Sequence, residues 1–341
     1  MKNFWSKFGW IITTILGSFI FGAGYAIFLG PNDLNAGGIS GLAAIIDIDE
    51  DREIIFGDEL TIDSIIWMGI QPTIREKSER VGIRETLPMS ELKSYLDRAA
   101  AKGQPIHYLP PYRGAHKLWL CELLGKQPAE LAAGSSVPFI RAVVDQRNYK
   151  SAEEIVQIEE SVATSVEMHK TAMRMVRPGI KESEIAAAVT EVAMRHGGNL
   201  SFPVIATING QTLHNHCHSN VLKEGQLFLL DAGAENTMHY AGDLTSTMPV
   251  SGRFNERQKT VYDINLRAYR TAVDALRPGI TYREVHMMAV TEICKGMKEL
   301  GLLKGDPVEA ANIGAYALFM PHGLGHMMGL DVHDMENLGE V

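Results

Sequence analysis

Hydrophobic and polar positions divide the chain into two unlike parts. From Phe8 to Asn32 no residue is charged, and 10–29 reads Trp-Ile-Ile-Thr-Thr-Ile-Leu-Gly-Ser-Phe-Ile-Phe-Gly-Ala-Gly-Tyr-Ala-Ile-Phe-Leu. About 20 apolar residues suffice for a helix to cross a bilayer core, so residues 8–30 predict a membrane-spanning helix. A secretory signal cleaved near Gly24-Tyr25-Ala26 and a buried soluble helix are the alternatives. Ser18, Gly22 and Ala26 fall on one helix face, as contacts between membrane helices prefer, although the tolerance of glycine in lipid explains the spacing as well. The acidic run Asp47-Ile48-Asp49-Glu50-Asp51 opens a chain of soluble character. There, 44–48 and 53–57 predict a hairpin and 90–101 an amphipathic helix, together a small α/β domain. Ser151 with Glu154 three residues on predicts a capping box and a helix to about Met175, hence a boundary near 149.

Beyond that boundary the chain repeats itself. Lys170-Thr-Ala-Met-Arg-Met-Val-Arg-Pro-Gly-Ile180 recurs 100 residues later as Arg270-Thr-Ala-Val-Asp-Ala-Leu-Arg-Pro-Gly-Ile280, and Ala188-Val-Thr-Glu191 recurs as Ala289-Val-Thr-Glu292. Each copy reads as helix, Pro-Gly turn, helix and strand. So long a period predicts two similar halves packed face to face, not a solenoid.

Composition narrows the function classes. With 45% hydrophobic and 21% charged residues in 341, the chain is globular, not disordered or fibrous. The net charge of -9 and the lack of a basic block argue against nucleic-acid binding. Cys121, Cys217 and Cys294 are far apart and odd in number, which argues against a disulfide framework or a thiolate zinc site.

The candidate chemistry lies in three stretches. Leu227-Phe-Leu-Leu-Asp231-Ala-Gly233 is an apolar strand ending in an acid beside small residues, and Tyr240-Ala-Gly-Asp243-Leu-Thr-Ser-Thr247 repeats the design. Singly, each aspartate reads as a strand-end acid. As a pair on neighbouring strands, they can share a proton or hold divalent cations. Phe319-Met-Pro-His322-Gly-Leu-Gly-His326-Met-Met-Gly-Leu-Asp331-Val-His333-Asp334 sets three histidines among glycines that disfavour a helix and admit close approach to a ligand. An imidazole added to carboxylates suits manganese, cobalt, iron or zinc more than calcium or magnesium. From Leu330 the alternation predicts a strand with His333 on its polar face. His214-Asn-His216-Cys-His218 reads either as a strand whose three histidines clamp a metal or as a polar loop.

Taken in order, Asp231-Ala-Gly, Gly242-Asp243-Leu-Thr and Pro321-His-Gly-Leu-Gly-His326 followed by Gly-Leu-Asp-Val-His333-Asp resemble the aminopeptidase P and prolidase branch of the pita-bread metallopeptidases, over residues 46–341. The resemblance implies an α/β (α+β) pita-bread fold with an internal twofold repeat, behind a small α/β N-terminal domain and, here, one hydrophobic helix. It divides the chain into 1–45, 46–149 and a catalytic domain 150–341. It implies that Asp231, Asp243 and His326 ligate two divalent metal ions, Mn2+ above Co2+, Fe2+ or Zn2+, with Asp243 bridging. His214, His322 and His333 are then the catalytic histidines that hold substrate and settle the tetrahedral intermediate. The implied activity is hydrolysis of the N-terminal Xaa-Pro bond of proline-containing peptides by metal-activated water, in a cytoplasmic homo-oligomer. The alternative is a non-catalytic, membrane-tethered pita-bread binding protein.

Two features depart from that pattern. The family supplies two glutamate ligands well after the histidine motif, and Glu336 and Glu340 follow it too closely to be them, so the expectation is a truncated site short of two ligands, with the activity of this chain left open. Residues 1–45 instead resemble the first helix and the Pro-Asn, Gly-Gly-x-x-Gly loop of YitT-type membrane proteins. With Lys2 and Lys7 before the helix and acids after it, a spanning segment would leave the peptidase part outside the cytoplasm, against the family's habit.

Overall fold

The computed structural model describes residues 25–29, 41–111 and 113–335. It divides into two compact units, one formed by the chain up to Ile155 together with the stretch from Gly329, the other by Val156–Met328.

In the first unit, β1 (Tyr25–Leu29), β2 (Ala43–Asp47), β3 (Arg52–Phe56), β4 (Glu85–Leu87) and β5 (Ile106–His107) form a sheet in the order β4-β3-β2-β1-β5. The expected hairpin is β2–β3, antiparallel with Asp47 opposite Arg52. The 3₁₀ turn Met89–Glu91 leads into the expected amphipathic helix. Helices α1 (Ile62–Met68), α2 (Ile74–Arg80), α3 (Leu92–Ala101), α4 (Gly114–Leu124), α5 (Pro128–Ala133) and α6 (Val137–Asn148) complete the unit. Its core joins Ile45, Ile54 and Phe56 of the sheet to Leu92 and Leu96 of α3 and Phe139 and Val143 of α6. Buried Asp47 ends β2, accepting from the Glu50 N–H and the Tyr95 hydroxyl, both at 3.0 Å.

The spanning helix expected over 8–30 is corrected at its end. Tyr25–Leu29 is a strand, antiparallel to β2 and parallel to β5. Its backbone groups are therefore engaged across the sheet, where a membrane helix would satisfy them internally. The remainder of that segment, and the glutamates Glu336 and Glu340, lie outside the described residues. Among the described residues no helix is long and apolar enough to cross a membrane.

Helix α7 (Ala152–Met175) opens with the expected capping box. The Ser151 hydroxyl accepts from the Glu154 N–H at 3.2 Å, and the Ser151 N–H donates to the Glu154 carboxylate at 2.8 Å. The second unit continues with α8 (Glu182–Arg195), β6 (Asn199–Leu200), β7 (Ile205–Thr207), β8 (Leu227–Ala232), β9 (Ala234–Glu235), β10 (Leu244–Pro249), α9 (Glu256–Ala275), α10 (Tyr282–Glu299) and α11 (Pro307–Asn312). Its strands form the sheets β10-β8-β7 and β6-β9.

The sequence repeat is a structural one. In the first copy Met168, Ala172, Ile185 and Val189 form a buried cluster, and Ala268, Ala272, Val285 and Ala289 do the same in the second. Gly179 and Gly279 take φ of 91° and 89°, a left-handed turn that favours glycine. Arg177 and Arg277 each donate to the carbonyl two residues back, at 3.2 and 3.1 Å. The copies differ beyond the second helix: β6 and β7 follow α8, whereas α11 and the 3₁₀ turn Ala315–Leu318 follow α10.

The cap of α10 gives a quantitative expectation. The Thr281 hydroxyl accepts from the Glu284 N–H at 3.2 Å. Thr281→Ala should lower the unfolding free energy by about 1 kcal/mol in denaturant titration, the usual value of an N-cap.

Candidate metal centre

Register explains how two aspartates meet. Along β8, Phe228, Leu230 and Ala232 are buried, which turns Asp231 to the opposite face. Asp231 stands across from Thr245 of β10. Asp243 lies just ahead of β10, two residues before Thr245, near enough for its charge to act on Asp231.

The glycines beside them make the approach possible. A Cβ on Gly233 would lie 1.8 Å from the Gly242 carbonyl oxygen, and one on Gly242 would lie 2.5 Å from the Ser165 hydroxyl. The Gly242 N–H donates to the Ala234 carbonyl at 2.8 Å, fastening the two segments together.

His326 completes the group, its Nε2 standing 3.2 Å from Asp243 Oδ2. Its Nδ1 lies 3.0 Å from the Met327 carbonyl, which can only accept, so Nδ1 carries the proton. In the neutral ring, Nε2 then presents a lone pair to a carboxylate oxygen, an arrangement that calls for a proton or a cation between them. Fixing a ring by its second nitrogen is the habit of metal-bound histidines. Asp231 Oδ1 is buried without a hydrogen-bond partner. Burial pushes the Asp231 carboxyl above its ordinary range and the Asp243 charge adds to this, against the Thr245 hydroxyl and the charges of His214 and His326. An orphaned carboxylate oxygen beside a second carboxylate and an imidazole fits a divalent cation by donor chemistry. Among the described residues no group of three or more such side chains is close enough to hold an ion.

The other expected residues are placed as follows. His214 lies within electrostatic reach of Asp231. Of the two readings of 214–218 the loop is the one found: the Asn215 side-chain amide donates to Thr207, and the His218 ring meets the Val204 carbonyl at 3.0 Å. The neck of this loop closes on buried Glu182, which accepts from the Ile208 and Asn220 backbone N–H groups at 2.8 and 3.0 Å. His322 is exposed, its Nδ1 against the Gly323 carbonyl, and its charge acts on His286.

His333 falls in the first unit. The strand expected from Leu330 is absent from 330–335, a run of bends held by charge: Asp331 and buried Asp334 both accept from Arg147, and Lys150 donates to Asp334 at 3.1 Å. Two motif glycines are also required by packing. A Cβ on Gly325 would meet the Tyr282 hydroxyl at 2.5 Å, and one on Gly329 the Asp334 carboxylate at 2.5 Å.

Sequence reasoning missed the buried polar stripe of α7 that supports the aspartates. The Ser161 hydroxyl donates to the Tyr240 carbonyl at 2.7 Å, the Ser165 hydroxyl accepts from the Ala234 N–H at 2.9 Å, and His169 contacts Ala232 and Ser246. Their four-residue spacing on a helix was the available signal.

This centre and its fold define a metallopeptidase class. The family model for metallopeptidase family M24 matches residues 156–340, more than half of the chain, and the chain belongs to that family. Within it the chain falls in the aminopeptidase P branch, since the model of the aminopeptidase P N-terminal domain matches residues 38–107. A probable Xaa-Pro aminopeptidase of Chaetomium globosum is 31% identical over 299 residues, which are 86% of this chain and 49% of that protein. The Xaa-Pro aminopeptidase of Escherichia coli is 29% identical, over 86% of this chain and 68% of its own. Among solved structures, proline aminopeptidase P II from Yersinia pestis superposes with a TM-score of 0.75 at 28% identity, covering 88% of this chain and 71% of that one. Zinc-substituted E. coli aminopeptidase P in complex with product gives 0.74 at 29%, with 88% and 70% covered. The pita-bread α/β fold with an N-terminal domain is thereby established. The chain spans about half the length of the fungal relatives.

Proposed function

We propose that the protein hydrolyses the bond between an N-terminal residue and a following proline, with residues 46–149 as part of the N-terminal domain and 150–341 as part of the catalytic one. The observation that carries this reading is the Asp231, Asp243 and His326 group, with its unpartnered carboxylate oxygen, in a chain of the aminopeptidase P branch. Drawn closer together than they stand here, these three side chains would hold divalent metal, Mn2+ before Co2+, Fe2+ or Zn2+. Such ions, when bound, supply an acidified, oriented water and polarise the scissile carbonyl.

The chain's own residues do the rest. The Met327 carbonyl fixes the His326 ring so that Nε2 faces the site. The Gly233 and Gly242 backbones hold the two carboxylates close. His214 and His322 are assigned to substrate, as hydrogen-bond donors to the carbonyl oxygen as it gains charge. His214 is the better supported of these, since it already acts on Asp231.

The test is Mn2+ titration by calorimetry together with cleavage of an Xaa-Pro-Xaa tripeptide. Wild type is expected to bind Mn2+ and to lose cleavage in EDTA, regaining it when Mn2+ is restored. Asp243→Asn is expected to weaken Mn2+ binding at least about 100-fold, because it removes a ligand and not merely a neighbour of one. Cleavage indifferent to chelator, or an Asp243→Asn variant that binds Mn2+ like wild type, would overturn the proposal.

A further inference from the structure

Helix α7 holds a buried histidine that no step above uses. His169 is 4% exposed. Its Nε2 lies 3.1 Å from the Ala232 carbonyl, the residue after Asp231, and its Nδ1 lies 2.9 Å from the Ser246 hydroxyl on β10. The Leu244 backbone, next to Asp243, lies near enough to act on the ring electrostatically. A single side chain thus touches the chain beside both carboxylates. Because a carbonyl only accepts, Nε2 carries the proton, and in the neutral ring Nδ1 accepts from Ser246. Burial supports that form by pushing the imidazole below its ordinary range.

From this geometry we infer that His169 is a positioning residue of the metal centre, which sets the spacing of Asp231 and Asp243 by bonding β8 and β10 at once. The inference rests on the metal reading above. The Ser161 and Ser165 contacts each fix one flanking segment, 240–242 or 233–234, whereas His169 alone of the three bonds both to β8, which carries Asp231, and to β10, which begins directly after Asp243. A helix is a rigid mount for this purpose. Strands that slip by a fraction of an ångström would still fold, but would no longer present two oxygens to one cation, and metal sites lose about 10–100-fold in affinity when such outer supports are removed.

The experiment is Mn2+ calorimetry on the full chain, with the thermal midpoint of the metal-free protein measured beside it. His169→Phe keeps a buried ring and deletes both hydrogen bonds, and should weaken Mn2+ binding about 10–100-fold. Ser246→Ala removes one bond and should weaken it by a smaller factor, and His169→Gln, which can still donate to Ala232, should recover part of the loss. Met168→Ala, a fully buried core change one residue away, should lower the thermal midpoint and leave Mn2+ affinity intact. If His169→Phe does not fold, Ser246→Ala and His169→Gln carry the test. Wild-type affinity in the His169 and Ser246 variants, or an equal loss in Met168→Ala, overturns the inference while the metal reading stands. A wild-type chain that binds no Mn2+ overturns both.

Discussion

Gly233→Ala is expected to unfold the second unit or to leave it without its metal centre. The added Cβ would lie 1.8 Å from the Gly242 carbonyl oxygen and 2.6 Å from its carbon, both backbone atoms. No rotamer change relieves such a collision. Relief requires the segments carrying Asp231 and Asp243 to separate, which breaks the Gly242 to Ala234 hydrogen bond at 2.8 Å and draws Ala234 away from Ser165. A loss above about 4 kcal/mol is expected, in the range reserved for severe core disruption. Gly323→Ala is the control: its Cβ would meet nothing nearer than the Gly325 oxygen at 3.9 Å, so its stability should stay within about 0.5 kcal/mol. Denaturant midpoints for the two variants check the contrast, and near-equal midpoints would show that the backbone approach at Gly233 is not what fixes the site.

Arg147→Ala has the second largest expected effect. Arg147 and Asp334 have side-chain exposures of 6% and 3%, and Arg147 also donates to Asp331 at 2.7 Å. Taking away the guanidinium leaves Asp334 buried with Lys150 as its remaining cation. Removing one member of a buried pair costs about 3–5 kcal/mol, chiefly because the other charge is stranded. Arg147→Lys should recover only part, since an ammonium cannot bridge two carboxylates as a planar fork does. Replacing the pair together, Arg147→Met with Asp334→Leu, should cost less than Arg147→Ala alone. Equilibrium unfolding of the three forms decides. A single variant as stable as wild type would mean that the pair does not anchor the segment around His333.

Both predictions concern residues whose partners are remote in sequence, and the same division runs through the molecule. Local patterns were legible. Ser151 and Glu154 announced the start of α7, the short apolar runs 44–48 and 53–57 announced the β2–β3 hairpin, and the Arg-Pro-Gly-Ile recurrence announced two equivalent helix pairs. Each depends on neighbours within a turn or a few residues, where backbone geometry fixes what can meet. The apolar run ending at Leu29 misled for the same reason. Hydrophobicity marks a segment for burial without saying whether the backbone bonds within itself or to a neighbour, and residues 25–29 are flanked by β2 and β5. The alternation of 214–218 and 330–334 likewise satisfied the period of a strand, but among the described residues no partner strand stands beside either.

The sequence by itself determined the chemistry: two aspartates on successive strand ends, a glycine-rich histidine motif, and their order along the chain. These are covalent facts, and they place the chain in its family. Only the tertiary structure decided what holds that chemistry in position. His169 reaches Ala232 and Ser246 across 63 and 77 residues, and Arg147 reaches Asp334 across 187. Such pairings have no local signature, because a buried polar group is satisfied by whatever the fold brings to it, and that is settled only when the whole core packs.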